Sequence, residues 1–313
     1  RHLISLSASV GIGVQLAVLT LSVLILAKLG QYYEHRGTLV SAFVVCYLFT
    51  SPLAGFVSGA IYNKNNGKNW IKTLLITASA LPLSLGGLTF LLNMFANSYG
   101  SLGFVPFGTM TILTVLWALL AVPLTFAGTI FGRSCSVETA GKGKKGGSES
   151  SRVNPVPRQI PEKPWYLEGW INYLLAGVLP FSSIFVELYF VYSSWWHYKF
   201  FYVYGMATVV VLLLFITIAC ITVINTFFLL SSEDYRWQWR SFCSGASVSV
   251  FVFLYSVYYY QKRTTMSGTL QMVMYFGYSS MFCVLVAFVC GSVSYLVASY
   301  FVRKIYQSGK FEW

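Results

Sequence analysis

The sequence predicts an all-α fold, a polytopic transmembrane bundle of eight helices, and three observations predict it. Only 10 % of the 313 residues are charged and 56 % are hydrophobic, with a mean hydropathy of +0.65; a soluble domain carries roughly a quarter charged residues. Apolar runs repeatedly reach the ~20 residues that a helix needs to cross ~30 Å of hydrocarbon. Lysine and arginine collect in alternate connections between those runs, which is the charge bias of a multi-pass membrane protein.

The first span is Leu3–Leu29, with Lys28 close enough to its end to reach the interface. It is too long for a secretory signal core. The chain starts at Arg1, not at methionine, and enters this span at once, so the sequence reads as part of a longer chain. The second span lies between Arg36 and Lys64. From Thr73 to Gly132 there are 60 residues without Asp, Glu, Lys or Arg, which is too long for one helix. The polar turn Asn97-Ser98-Tyr99-Gly100-Ser101 divides it into spans three and four. After a polar loop at 133–169 come spans five to seven, about Trp170–Ser194, Phe200–Leu230 and Ser241–Gln261. The 39 uncharged residues between Arg263 and Arg303 hold one long helix, about Gln271–Val302. The organisation is thus four helices in 1–132, a loop at 133–169, four helices in 170–303 and a tail at 304–313.

With eight spans both ends share a side. Sixteen of the 21 basic residues then fall on the side of the long loop and the termini, against five on the other. That asymmetry places the loop and both ends in the cytosol. It also accounts for the net charge of +12 without nucleic acid, because the basic residues lie between spans and not on one face. Trp70, Trp165, Trp170, Trp195, Trp196, Trp237 and Trp239 sit at span boundaries, where an amphipathic indole is favoured; only Trp117 falls in mid-span. Five of the six cysteines lie in apolar runs and read as small packing residues, with no disulfide framework.

Several segments are more than lipid-facing apolar helix. In the long loop, 141–152 is low-complexity and reads as disordered, a solvated linker whose lysines can also touch anionic lipid; 153–166, with four prolines, reads as extended. Two helices carry small-xxx-small pairs, Gly55/Gly59 and Gly128/Gly132. These serve either packing within the bundle or contact with a helix of another protein. Gly86-Gly87, Pro82, Pro123 and Pro180 mark kinks or breaks. Of nine acidic residues only Glu187 lies well inside a span, with Ser183 and Pro180 on the same face. An intramembrane carboxyl marks a functional site, or else a hydrogen bond that locks helices together.

Catalytic constellations are missing from the sequence. His2, His35 and His197 are scattered, Met272 and Met274 do not share a helix face, and there is no phosphate loop or nucleophile elbow. The reading is of a non-enzyme with no cofactor and no metal.

Five stretches together carry a resemblance. They are Val105-Pro-Phe-Gly-Thr109, Pro157-Arg-Gln-Ile-Pro-Glu-Lys-Pro-Trp-Tyr166, Leu179-Pro-Phe-Ser-Ser-Ile-Phe-Val-Glu-Leu188, Glu233-Asp-Tyr-Arg-Trp-Gln-Trp-Arg-Ser-Phe242 and Phe301-Val-Arg-Lys-Ile-Tyr306. In this order, across the whole chain, they resemble the nonaspanins, the transmembrane 9 superfamily. The resemblance implies a missing lumenal N-terminal domain and first span, with the eight spans here as the C-terminal block. It implies residence in Golgi and endosomal membranes and a role in sorting membrane proteins with glycine-rich spans. Its implied partners are cargo transmembrane segments, lipids and, through a C-terminal Lys-x-acid signal, the COPI coat. Lys310-Phe311-Glu312 matches that signal, although Trp313 follows the acid at which the family usually ends. Arg158, Pro161, Pro164, Trp165, Glu233, Asp234 and Arg240 are the cytosolic motif residues, and Glu187, Ser183, Pro180 and the four paired glycines are candidates for a cargo groove. The alternative reading is a transporter or channel that uses Glu187, as carriers use broken helices and buried acids. A lipid-modifying enzyme lacks any nucleophile, base or metal cluster.

Overall fold

The computed structural model describes residues 2–29, 38–65, 67–100, 105–145, 161, 169–196, 200–264 and 268–308. They form α1 (Leu3–Leu29), α2 (Thr38–Lys64), α3 (Trp70–Ser98), α4 (Phe107–Leu116), α5 (Val122–Lys145), α6 (Gly169–Trp196), α7 (Phe200–Ser231), α8 (Trp237–Ala246), α9 (Val248–Arg263) and α10 (Thr269–Ser308). A five-residue π-helical segment, Trp117–Ala121, joins α4 to α5 into one rod. Helices α8 and α9 form a second rod that breaks only at Ser247. By length and composition seven of the rods are able to cross a membrane. In the remaining predicted place stands α6, whose apolar stretch among the described residues is the shorter Trp170–Val186. Boundaries follow the sequence closely, but α5 runs on to Lys145 and so takes in the start of the segment read as disordered. Extending an existing helix costs far less than starting one. Residues 146–160 and 162–168 lie outside the described residues.

Helices α1–α5 form one half of the bundle and α6–α10 the other, joined where α1 meets α10 and α7 and where α3 meets α10. The core of the first half is built around Ile12, Leu16, Leu19 and Leu81. That of the second runs through Ile184, Leu188, Leu214, Ile218, Val248 and Val252. Apolar area alone cannot drive this assembly inside lipid, so close packing at small residues holds it. Helix α1 is gripped on two faces: a Cβ at Gly11 would stand 2.6 Å from the Ala54 carbonyl oxygen of α2, and one at Gly13 would collide with the Phe288 carbonyl of α10. Two residues apart means about 200° around a helix, so these contacts lie on nearly opposite sides.

Each intrahelical proline removes an N–H and so frees the carbonyl four residues earlier. Pro52 frees Leu48, whose oxygen accepts the Ser51 hydroxyl at 2.7 Å. Pro82 frees Ala78, and here the donor comes from another helix: the Trp117 indole N–H reaches the Ala78 oxygen at 3.0 Å. The one tryptophan that the sequence places in mid-span thus repairs a proline break in its neighbour. Val122 follows the π segment and its N–H bonds back to the Trp117 oxygen in the wider π register, with Pro123 next in the chain.

The glycine contacts generate a test. Gly128→Ala must displace the Pro52 carbonyl and should cost about 1–3 kcal/mol, whereas Gly108→Ala, with nothing within 4 Å, should be neutral or slightly stabilising. Thermal unfolding of the two variants in detergent checks this.

Candidate functional site

The two small-residue pairs meet each other. Helix α2 lies against α5 so that Gly55 sits on the Thr125 carbonyl, Gly59 on Thr129, Gly128 on the Pro52 carbonyl and Gly132 on the Phe56 carbonyl. No side chain fits at any of the four positions, so these glycines are occupied within the bundle. A foreign helix could use them only by separating α2 from α5. Their ends are pinned as well: Asn63 Nδ2 donates to the Arg133 carbonyl at 3.3 Å, and the Arg133 guanidinium lies 4.5 Å from the Trp70 ring.

Pro180 and Ser183 lie in the other half, on α6. Pro180 is fully buried. Ser183 Oγ donates to the Pro180 carbonyl at 2.7 Å and stands 3.4 Å from Thr217 Oγ1 of α7. Pro180, Thr222, Ser244 and Gly245 border a space of about 10 Å³, room for about one water. Beside it a buried polar chain links three helices, in which Thr222 Oγ1 donates to Ser294 Oγ at 2.9 Å and Ser294 Oγ to the Ser241 carbonyl at 2.6 Å. Glu187 follows one turn after Ser183 in α6; its side chain lies outside the described residues. The structure therefore separates the expected groove residues into two places, the α2–α5 seam and the α6–α7–α8 interior.

The motif at 233–242 makes the elbow between α7 and α8. Glu233 takes φ +56, with its N–H on the Leu230 carbonyl, and the Asp234 N–H reaches the Leu229 carbonyl. That is a Schellman helix end with glutamate where glycine is usual. The turn carries Asp234 inward until its side chain is 0 % exposed. There it accepts the Arg236 N–H at 2.9 Å and pairs with Arg240 at 3.2 Å. Trp237 stacks on Tyr295 of α10, with ring centroids 5.8 Å apart. Of the remaining motif residues, Pro161 is exposed; Arg158, Pro164, Trp165, Lys310 and Glu312 lie outside the described residues.

A groove that the sequence reading missed lies between α3 and α10. Its volume is about 660 Å³, and its walls are Leu88, Leu91, Leu92, Met94 and Phe95 of α3 with Val273, Phe276 and Gly277 of α10. The walls touch where Leu92 packs on Gly277. Beyond that point Tyr99 and Thr269 join by a 3.2 Å hydrogen bond between their hydroxyls. Next to the groove, Gly86 and Gly87 present bare backbone, with nothing within 4 Å. Nothing but the Gly86-Gly87 pair and Gly277 signals this groove in the sequence, because leucine and phenylalanine mark core and lipid face alike. Among the described residues no three His, Cys, Asp or Glu side chains gather as a metal site.

Fold and helix composition define a polytopic helical membrane protein. Residues 1–269 match the family model described as Endomembrane protein 70. The chain is 38 % identical over 310 residues to Transmembrane 9 superfamily member 3 of Arabidopsis thaliana, covering 98 % of this chain and 50 % of that protein. It is 36 % identical over 317 residues to member 4 of the same plant, covering 100 % and 51 %. With member 4 of Homo sapiens it shares 32 % over 308 residues, covering 98 % and 47 %. The chain belongs to this family, the transmembrane 9 superfamily, and spans about half the length of these relatives. No solved structure matches it.

The elbow gives a direct test of its ion pair. Asp234→Ala strands Arg240 and should destabilise the protein by about 2–3 kcal/mol, measured as a lower thermal midpoint. Arg240→Lys should retain part of that loss, because lysine keeps the charge with a different geometry.

Proposed function

We propose that this chain is the membrane part of a non-enzymatic sorting factor. It helps to localise membrane proteins with glycine-rich spans along the route between Golgi, endosomes and surface. The observation that carries this reading is the apolar groove between α3 and α10, with the uncovered backbone of Gly86 and Gly87 preceding its α3 wall. Small residues on both partners let helix backbones approach closely in lipid. The α2–α5 glycines already have partners and Gly277 is filled by Leu92, which leaves Gly86 and Gly87 as the glycines of α3 with open space around them. Glu187 stands on α6, apart from this groove, and is kept as an acceptor for a polar group of cargo that meets α6. The family description, Endomembrane protein 70, supports residence in internal membranes. Cytosolic ends follow from the basic bias, and Lys310 with Glu312 forms the signal for the COPI coat.

Surface abundance of reporters with glycine-rich or leucine-only spans tests the reading in cells that lack the full-length protein. Wild type should restore the glycine-rich reporters selectively. Leu91→Trp, which fills the groove from an exposed position, should leave them near the level without rescue, and Glu187→Gln should reduce them. Equal behaviour of both reporter classes would sink the sorting reading. Solute or ion flux in proteoliposomes that is lost in Glu187→Gln would put a transporter in its place.

A further inference from the structure

Helix α3 and the rod α4–α5 each depart from the regular helical hydrogen-bond ladder, α3 without losing its helical course, and the two places are joined to each other. In α3 the place is Pro82, and in the neighbouring rod it is the π segment Trp117–Ala121 followed by Pro123. The hydrogen bond from Trp117 Nε1 to the Ala78 oxygen ties one to the other. Packing changes at the same level. On one side of the joint α3 buries Thr73, Leu74, Thr77, Ala78 and Leu81, and α5 buries Thr125, Gly128 and Thr129. On the other side no residue from 82 to 91 is buried and α4 has no buried residue, and α3 buries side chains again only at Leu92, Asn93 and Ala96.

The far ends are tied together as a unit. Asn93 Nδ2 donates to the Val105 carbonyl at 3.1 Å while the Val105 N–H donates to Asn93 Oδ1 at 2.8 Å, so the start of α4 is fastened to α3. This unit meets α10 through Leu92 on Gly277 and the Tyr99–Thr269 hydrogen bond, and nearer the joint Leu85 packs on the cluster of Ile12, Leu16 and Val289. The groove runs alongside these contacts, its α3 wall reaching from Leu88 to Ser98.

We propose that the outer half of the α3–α4 hairpin is a hinged flap. It pivots at the Pro82–Trp117 joint and opens or closes the lateral groove against α10. A proline lacks the ladder bond that stiffens a helix at that level, and a π segment tolerates a change of register. The indole bond keeps the joint coherent by pairing the freed carbonyl in the closed form. The flap stands independently of the sorting reading, since it concerns motion of this chain and not what enters the groove.

Pulsed electron-resonance distances in the full-length protein, reconstituted in nanodiscs, test this with spin labels on unnatural side chains. The outer pair is Met94 with Tyr278, and the inner pair is Leu75 with Leu296; all four side chains are exposed. The wild type should give two distances for the outer pair and one for the inner pair. Pro82→Ala, which restores the N–H, should collapse the outer pair to the shorter distance. Trp117→Phe should shift it towards the longer one with the inner pair unchanged. A single outer distance in wild type that Pro82→Ala leaves as it was overturns the flap, and so does an inner pair that broadens in step with the outer. If Trp117→Phe does not fold, wild type against Pro82→Ala still decides.

Discussion

Contact between helix backbones at small residues is the constraint on which the rest of this bundle depends. In hydrocarbon the apolar side chains gain nothing from leaving water when helices associate, so shape and close approach must hold the rods together. Gly11 and Gly13 let α1 sit between α2 and α10, and four glycines interlock α2 with α5. Gly245 against the Cys290 carbonyl does the same for α8 and α10. Because α1 meets both halves, its two contacts fix how the halves stand, and with them the distance between α3 and α10.

Backbone hydrogen bonding supplies the second constraint. A carbonyl freed in a membrane must find a donor inside the protein. Three solutions appear here: a neighbouring serine at Pro52, an indole from another helix at Pro82, and a change to π register before Pro123. They differ in consequence. The serine repair is local and leaves α2 able to pack along its length. The indole repair makes the geometry of α3 depend on α4–α5, so that two helices share one joint.

Polar side chains follow the same logic. Asp234 is tolerated in the interior because the elbow supplies a backbone N–H and Arg240. Thr222, Ser294 and Ser241 pass hydrogen bonds between α7, α10 and α8, and Tyr275 donates its hydroxyl to the Ser256 carbonyl at 2.9 Å. Such groups fasten the second half, whereas the outer part of α3 and α4 is tied by the Asn93–Val105 and Tyr99–Thr269 hydrogen bonds and by the packing of Leu85 and Leu92.

The sequence by itself determined the order of the rods, their boundaries to within a few residues, the family and where prolines remove a ladder bond, although α3 and α6 run on through Pro82 and Pro180 and the break at Ser247 carries no proline signal. All of these are properties of a single helix or of composition: the length needed to cross hydrocarbon, the charge bias of the connections, and the missing N–H of proline. It also showed Gly55/Gly59, Gly128/Gly132, Pro82 and Trp117, but only as separate signals. Their pairing was decided by tertiary structure, because a small-residue face is the same in sequence whether it meets its own bundle or a foreign helix. The groove was decided there too. Leu91, Phe95 and Phe276 belong to residue types that suit lipid, core and cavity wall equally, and only the spacing of α3 from α10 makes them line a space.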